Sequence, residues 1–146
     1  MIKADIIQHR DFRFEQRDRA VAFIDFRNKH IAMADAGITA QLDVVVDGGQ
    51  ALAYVRKQAP FADKARPDLV LLDLNLPGID GREVLRHIKS DAELCSIPVV
   101  VMSTSVDDED VRVSYREHAN AFVSKAPDFD QLVETFEAIG AFWLKI

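Results

Sequence analysis

The chain has 146 residues and a net charge of −6. This length suits one domain with a single core, and the acidic balance argues against direct nucleic-acid binding, which depends on many Lys and Arg contacts to phosphate. Cys95 is the only cysteine, which excludes an intrachain disulfide. No apolar run approaches the length of a membrane span and the first residues do not form a secretory signal. We therefore expect a cytoplasmic protein that contacts neither membranes nor nucleic acid.

The N-terminal part of the chain contains one segment suited to a buried strand. Residues 1–19 mix charged and aromatic side chains without a clear period, and we treat them as an extension before a domain at 20–146. The apolar run at 20–24 predicts the first strand, because strands of a parallel sheet are buried on both faces and are continuously hydrophobic. Asp25 follows that run, so the strand would end on an acid.

A second register fits the same residues. In it, residues 18–36 form one continuous helix and the first strand lies near 5–7. The acid beside that strand would then be Asp5 or Asp11, or there would be none. We favour the strand at 20–24, because it is the better buried run.

Strands and helices alternate over the rest of the chain. Runs rich in apolar and β-branched residues predict strands, and apolar residues at spacings of three and four predict helices. Gly37 is expected to end the first helix and Asp47 to cap the start of the second. The predicted strands cover 20–24, 42–46, 69–72, 97–102 and 121–124, and the predicted helices cover 26–36, 47–58, 82–89 and segments beginning near 107 and 128. This alternation indicates an α/β fold with five parallel strands.

Polar side chains follow four of the predicted strands, namely Asp25, Asp73, Ser103 and Lys125. The carboxyl ends of parallel strands form the crevice where open α/β sheets bind ligands, so these side chains are expected to lie together. The set suits phosphoryl transfer, with Asp73 as the nucleophile, Lys125 as a fixed positive charge and the Ser103 hydroxyl as a hydrogen-bond donor. Each residue alone is also an ordinary cap or turn residue. Their joint appearance on successive strands favours the functional interpretation.

Three segments carry a resemblance to a known family. They read Leu-Asp-Leu-Asn-Leu-Pro-Gly at 72–78, Ile-Pro-Val-Val-Val-Met-Ser-Thr-Ser at 97–105 and Phe-Trp-Leu at 142–144. They resemble the receiver domains of two-component response regulators, and most of all the single-domain response regulators that accompany phytochromes. The resemblance implies a flavodoxin-like, doubly wound five-stranded parallel sheet. It also implies a phosphorelay in which a sensor histidine kinase, such as a phytochrome kinase, is the partner.

The resemblance further implies roles for individual residues. Asp73 matches the phosphoacceptor of the family, and Ser103 and Lys125 match its catalytic hydroxyl residue and its catalytic lysine. Ser103 and Phe122 match the pair of residues that switch conformation on phosphorylation. A protein with these roles is not an enzyme for external substrates. At most it would catalyse its own phosphorylation and dephosphorylation and signal through protein contacts.

A Mg²⁺ ion is also implied, held by Asp25, Asp73 and the backbone carbonyl of Asn75. The family normally has two adjacent acids after the first strand, but here Ile24 precedes Asp25 and Phe26 follows it. One acid fewer should weaken the binding of a divalent cation, which depends on oxygen ligands and their charge. The alternative function is therefore a pseudo-receiver, which keeps the fold but acts as a binding or dimerisation module without phosphorylation.

The predicted last helix has an apolar stripe of residues at spacings of three and four. Its members are Phe129, Leu132, Phe136, Ile139, Trp143 and Ile146. Part of this stripe is expected to pack in the core, but three consecutive large residues at 142–144 cannot all face one side of a helix. Exposed apolar surface of this kind usually marks an interface, and members of the resembling subgroup form dimers through this region. We therefore predict a homodimer through Phe136, Ile139, Phe142 and Trp143.

An aspartyl phosphohydrolase is a third possible function on a similar sheet. Such enzymes need a second Asp two residues after the nucleophile as an acid and base, and here that position is Asn75. The chain also has no segment for a cap domain. Both observations disfavour this function.

Overall fold

The computed structural model describes residues 19–23, 32–37, 41–104, 107–125 and 128–144. The chain divides into two compact units. Of the described residues, the sheet unit contains 20–23, 42–104 and 107–125, and the terminal unit contains 19, 32–37, 41 and 128–144.

Five strands form one sheet, which gives the fold its class. They are β1 (Arg19–Phe23), β2 (Gln41–Val44), β3 (Leu69–Asp73), β4 (Val99–Ser103) and β5 (Ala121–Ser124). Their spatial order is β2-β1-β3-β4-β5, and the pairings β1–β3, β3–β4 and β4–β5 are parallel. This is the strand order of flavodoxin-like doubly wound sheets, so the predicted fold class is confirmed.

Helices connect the strands. They are α1 (Gly48–Val55), α2 (Gly81–Ser90), α3 (Asp108–Arg116) and α4 (Phe129–Ile139), and α4 continues into a π-helical turn at Gly140–Leu144. An Asp caps the start of each of α1 to α4 by accepting a backbone N–H; these are Asp47, Asp80, Asp107 and Asp128. Residues 32–35 are also helical and end at Gly37, whose φ of 75° is left-handed, as expected of a C-terminal cap. None of the described helices is long and apolar enough to cross a membrane.

The first strand lies where the favoured register places it. β1 pairs with β3 from Ala20 opposite Leu69 to Phe23 opposite Leu72. The alternative, a continuous helix over 18–36, is therefore wrong: the apolar run is used as a strand in the centre of the sheet.

Several element ends differ from the predicted ones for local reasons. α1 ends at Val55 rather than near 58, because Lys57 has a φ of 57°. β2 ends at Val44, and the N–H of Val46 donates to the side chain of Gln50 (3.3 Å). β4 begins at Val99, because Pro98 has no N–H to donate to the sheet.

The core of the sheet unit lies around β3 and β4, which are buried at every position. Side chains alternate between the two faces of a strand, and Val70, Leu72, Val99 and Val101 belong to one hydrophobic cluster. Helix residues fill the same cluster, among them Leu52, Val55, Val84, Leu85 and Ile88. This packing fixes the ends of the central strands, where the predicted site lies.

Lys89, in the last turn of α2, connects segments at the amino-terminal ends of the strands, which we call the amino edge of the sheet. Its Nζ donates to the carbonyl oxygens of Cys95 (3.1 Å) and Ile97 (2.8 Å) and to Oδ1 of Asn120 (2.8 Å). Oδ1 of Asn120 also accepts the N–H of Val99 (2.9 Å), and the N–H of Asn120 donates to the Val99 carbonyl (2.9 Å). One lysine thus connects α2 to the segments that enter β4 and β5.

In the terminal unit, the apolar residues of α4 differ in exposure. Leu132, Phe136 and Ile139 are buried within the single chain, whereas Phe142 is 47% exposed. The rings of Phe142 and Trp143 meet edge to face with their centroids 4.8 Å apart. Because Phe136 and Ile139 are already covered, the predicted dimer interface depends on Phe142 and Trp143.

Candidate functional site

Asp73 is the last residue of β3 and lies opposite Met102 of β4. It is only 3% exposed, although it carries a carboxylate. Oδ1 accepts the backbone N–H of Asn75 (2.8 Å), and Oδ2 contacts Nζ of Lys125. Both carboxylate oxygens therefore have partners, and the orientation of this side chain is fixed.

Lys125 supplies the positive charge beside Asp73. Its side chain is 8% exposed, and that of Asp73 is 4% exposed, so the ion pair lies where charges attract more strongly than in water. The backbone also positions Lys125, because its N–H donates to the Ser103 carbonyl (2.7 Å) directly after β5. The predicted cation and the predicted nucleophile therefore meet in the structure.

Ser103 completes the set at the carboxyl ends of the central strands. It is the last residue of β4, lies opposite Ser124 of β5 and is 1% exposed. The structure thus places Asp73, Ser103 and Lys125 at the ends of neighbouring strands. A buried carboxylate with an adjacent cation and a neighbouring hydroxyl is suited to attack a phosphoryl group, because catalysis of this transfer is mostly positioning and neutralisation of charge.

Two glycines fix the loop that follows Asp73, and sequence analysis did not identify their role. A Cβ atom on Gly81 would lie 2.3 Å from the Asp73 carbonyl oxygen, and one on Gly48 would lie 2.0 Å from that of Ile79. The N–H of Gly81 donates to the Leu74 carbonyl (3.1 Å). Each glycine follows a capping Asp at the start of a helix, where glycine is a poor helix former. A glycine at the start of a helix, where it is disfavoured, was the sequence feature that indicated close backbone packing.

Arg82 is a second residue that sequence analysis did not identify. Its guanidinium group contacts Oδ1 of Asp110 in the first turn of α3, and it also reaches the carboxylate of Asp80 (3.3 and 3.4 Å). The hydrogen bond to Asp110 raises the pKa of Arg82. No local sequence pattern predicts this pair, because its members are 28 residues apart in two different helices.

The other predicted site residues are placed as follows. Phe122 is half-buried against the hydrophobic cluster of the sheet unit, and its N–H donates to the hydroxyl of Tyr115 (3.2 Å). Asn75 is exposed and contributes its backbone N–H to Asp73. Asp25 and Phe26 lie outside the described residues. The switch role of Phe122 and the metal role of Asp25 stay predictions.

The available donors are of the type that a hard cation prefers. The Asp73 carboxylate and the Asn75 carbonyl are both oxygen donors, which suit Mg²⁺ or Mn²⁺. Within the described ranges, no group of three or more His, Cys, Asp or Glu residues could hold a metal ion. The Asp73 carboxylate and the Asn75 carbonyl fit Mg²⁺, which commonly keeps several of its waters when it binds to proteins.

Comparisons with known proteins lead to the family that the sequence motifs resemble. The family model for the response regulator receiver domain matches residues 26–137. The response regulator Rcp1 of Synechocystis sp. (strain ATCC 27184 / PCC 6803 / Kazusa) is 42% identical over 105 residues, which cover 72% of this chain and 71% of Rcp1. The structure of the phosphorylated cyanobacterial phytochrome response regulator RcpA is 41% identical, with a TM-score of 0.82 over 88% of this chain and 94% of that one. The Mn²⁺-bound form of Rcp1 is 35% identical, with a TM-score of 0.82 over 88% and 95% of the two chains.

Proposed function

Because this chain belongs to the response regulator receiver family, we propose that it accepts a phosphoryl group on Asp73 from a sensor histidine kinase. The observation that carries this proposal is the buried Asp73 carboxylate, held between the Asn75 N–H and Lys125 at the end of a central strand. The likeness to RcpA and Rcp1, the first of them a phytochrome response regulator, supports a phytochrome kinase as the donor. Output would pass through protein contacts in the cytoplasm, without direct nucleic-acid binding.

The proposed reaction is an in-line displacement at phosphorus. A carboxylate oxygen of Asp73 forms the new P–O bond, the P–N bond to the kinase histidine breaks, and the departing imidazole takes up a proton. Lys125 neutralises charge on the phosphoryl oxygens, and the Ser103 hydroxyl donates a hydrogen bond to one of them. Asp73 is the group that is modified, so the protein would turn over no external substrate beyond the phosphoryl group that it accepts and loses.

We include Mg²⁺ in this proposal. Asp73, the carbonyl of Asn75 and Asp25 would hold it. A bound divalent cation would add positive charge next to the phosphoryl oxygens. Because Phe26 occupies the place of a second acid, we expect weaker metal binding than in receivers with two adjacent acids.

The test is phosphorylation of purified protein by acetyl phosphate with Mg²⁺, followed by intact mass. Wild type should gain one phosphoryl group, and Asp73→Asn should gain none. A chelator should abolish the adduct on wild type. If folded wild type gains no adduct from acetyl phosphate or from a phytochrome kinase, the proposal is wrong and the pseudo-receiver is favoured.

We also propose that the chain forms a homodimer whose partner covers Phe142 and Trp143. Among the residues that the structure describes, Phe142 is one of four large apolar side chains that are more than a third exposed, and it lies edge to face against Trp143. Burying an exposed aromatic pair is favourable in proportion to its apolar area. Replacing both residues with Ser should give a monomer by light scattering, and Leu132→Ser, at a buried position of α4, reports on general damage to the helix. A dimer that survives the double change would contradict this interface.

A further inference from the structure

Two ion pairs connect α2 and α3 in the sheet unit. Arg82 contacts Asp110, and Nε of Arg86 lies 3.3 Å from Oε1 of Glu117. Arg82 and Arg86 are one helical turn apart on α2, so both project toward α3. The first pair lies at the start of both helices, and the second lies at the end of α3, because Glu117 directly follows its last residue.

The position of Arg82 is linked closely to that of Asp73. Arg82 directly follows Gly81, which leaves no room for a Cβ atom against the Asp73 carbonyl. The N–H of Arg82 donates to Oδ1 of Asp80, which caps the same helix (2.7 Å). The start of α2 therefore packs directly against the backbone of the candidate phosphoacceptor.

The position of Asp110 is linked to that of Ser103. β4 ends at Ser103 and α3 is capped by Asp107, so only three residues separate them, and their Cα atoms can be at most about 14 Å apart. The start of α3 is also strongly acidic, with the capping Asp107 followed by three carboxylates in the first turn at 108–110. Of these, Asp110 has a side chain that is only 19% exposed and is turned toward Arg82.

From these contacts we infer that Arg82 is a positioning residue for phosphoryl transfer to Asp73. By binding Asp110, it would hold the start of α3 at a fixed place relative to the start of α2, next to the strand ends that carry Asp73 and Ser103. It would also offset negative charge near the site that must receive an anionic phosphoryl donor. This inference depends on the proposed role of Asp73 as the acceptor.

The charge state of Arg82 suits this task. The hydrogen bond to Asp110 raises the pKa of Arg82 above its already high ordinary value. Partial burial of the guanidinium group opposes this rise, and the negative charges of Asp110 and Asp80 reinforce it. The guanidinium group therefore stays charged at every pH at which phosphorylation would be measured. Loss of Arg82 should only slow phosphorylation of Asp73. It both frees the start of α3 and leaves the carboxylates of α3 without this cation.

The experiment compares Arg82→Gln with the matched variant Arg86→Gln, using the initial rate of acyl-phosphate formation from acetyl phosphate with Mg²⁺. Arg82→Gln should be roughly threefold to tenfold slower than wild type. Arg86→Gln removes the other pair between the same helices and should keep the wild-type rate. Arg82→Lys keeps a charge beside Asp110 and should recover most of the lost rate. Urea unfolding of each variant shows whether a rate change merely follows a loss of stability.

A double-mutant cycle tests the pair itself. Asp110→Asn should also slow phosphorylation, but less than Arg82→Gln does, because it removes one negative charge together with the pair; the double variant should be no slower than Arg82→Gln alone. A wild-type rate for Arg82→Gln, or an equal slowing by Arg86→Gln, would overturn the inference. If Asp73→Asn were labelled as fast as wild type, the acceptor proposal itself would fail and the inference with it, so the two failures are distinguishable.

Discussion

The two edges of the sheet each depend on a lysine, and the two lysines have different kinds of partner. At the carboxyl edge, Lys125 contacts the carboxylate of Asp73 in a site closed to most solvent. At the amino edge, Lys89 donates to two backbone carbonyls and a side-chain amide, all of them neutral. Each lysine connects segments that are distant in sequence.

The difference in partners separates chemistry from stability. The neutral acceptors around the amino-edge lysine suit a network that stabilises the fold. A buried carboxylate beside a lysine is both costly to bury and nucleophilic. The carboxyl edge is thus where the fold carries an arrangement that packing alone would not require. Substitution of Lys125 should accordingly lower the rate of phosphorylation, whereas substitution of Lys89 should lower stability and leave the rate unchanged.

The largest expected effect is that of Lys125→Gln on phosphorylation. Removing the fixed charge beside the phosphoryl oxygens should lower the initial rate with acetyl phosphate by about 100-fold. Intact mass over time measures this rate, and Lys89→Gln is the matched control at the amino edge. An equal slowing of both variants would contradict the assignment of chemistry to the carboxyl edge and of stability to the amino edge.

Gly81→Ala is expected to have the next largest effect, on stability. A methyl group there would meet the Asp73 carbonyl and Leu74, so the free energy of unfolding should fall by about 2 kcal/mol. Gly78→Ala serves as the control, because a Cβ there meets nothing within 4 Å and only its φ of 72° opposes a side chain; its cost should be about 1 kcal/mol. Urea unfolding compares them, and a larger loss for Gly78→Ala would show that the loop after Asp73 tolerates displacement.

Lys89→Gln should have the smallest effect. It removes a charged donor from three hydrogen bonds, but water can replace part of them at this half-buried position. The free energy of unfolding should therefore fall by about 1 kcal/mol. The rate of phosphorylation should match wild type. A slower rate at unchanged stability would show that the amino edge also influences the site.

Much of the fold followed from patterns within single elements. The continuous burial of β3 follows from its apolar run, and Gly37 and Asp47 cap helices where their types predict. Membership of the response regulator family, predicted from motifs at the strand ends, is confirmed. The meeting of Asp73 with Lys125 was also predictable, because parallel strands bring their carboxyl ends to one edge.

Features that depend on contacts between distant segments were not predictable. The Arg82–Asp110 pair joins two helix starts, and neither residue looks unusual in its own segment. The burial of Phe136 and Ile139 in the single chain, against the exposure of Phe142, likewise depends on how α4 packs, and a stripe of apolar residues does not specify this. The π-helical turn after α4 has no sequence signal that we recognise.

The hydrogen bond between Phe122 and Tyr115 has a consequence for the behaviour of the protein at high concentration. β5 is an outer strand, and strands at the edge of a sheet offer unpaired backbone groups to other chains. The N–H of Lys125 points to β4. Backbone N–H groups alternate in direction along a strand, so the N–H of Phe122 points away from the sheet, and it donates to the Tyr115 hydroxyl. A side chain from the protein's own helix thus blocks part of the template on which a foreign strand would otherwise add.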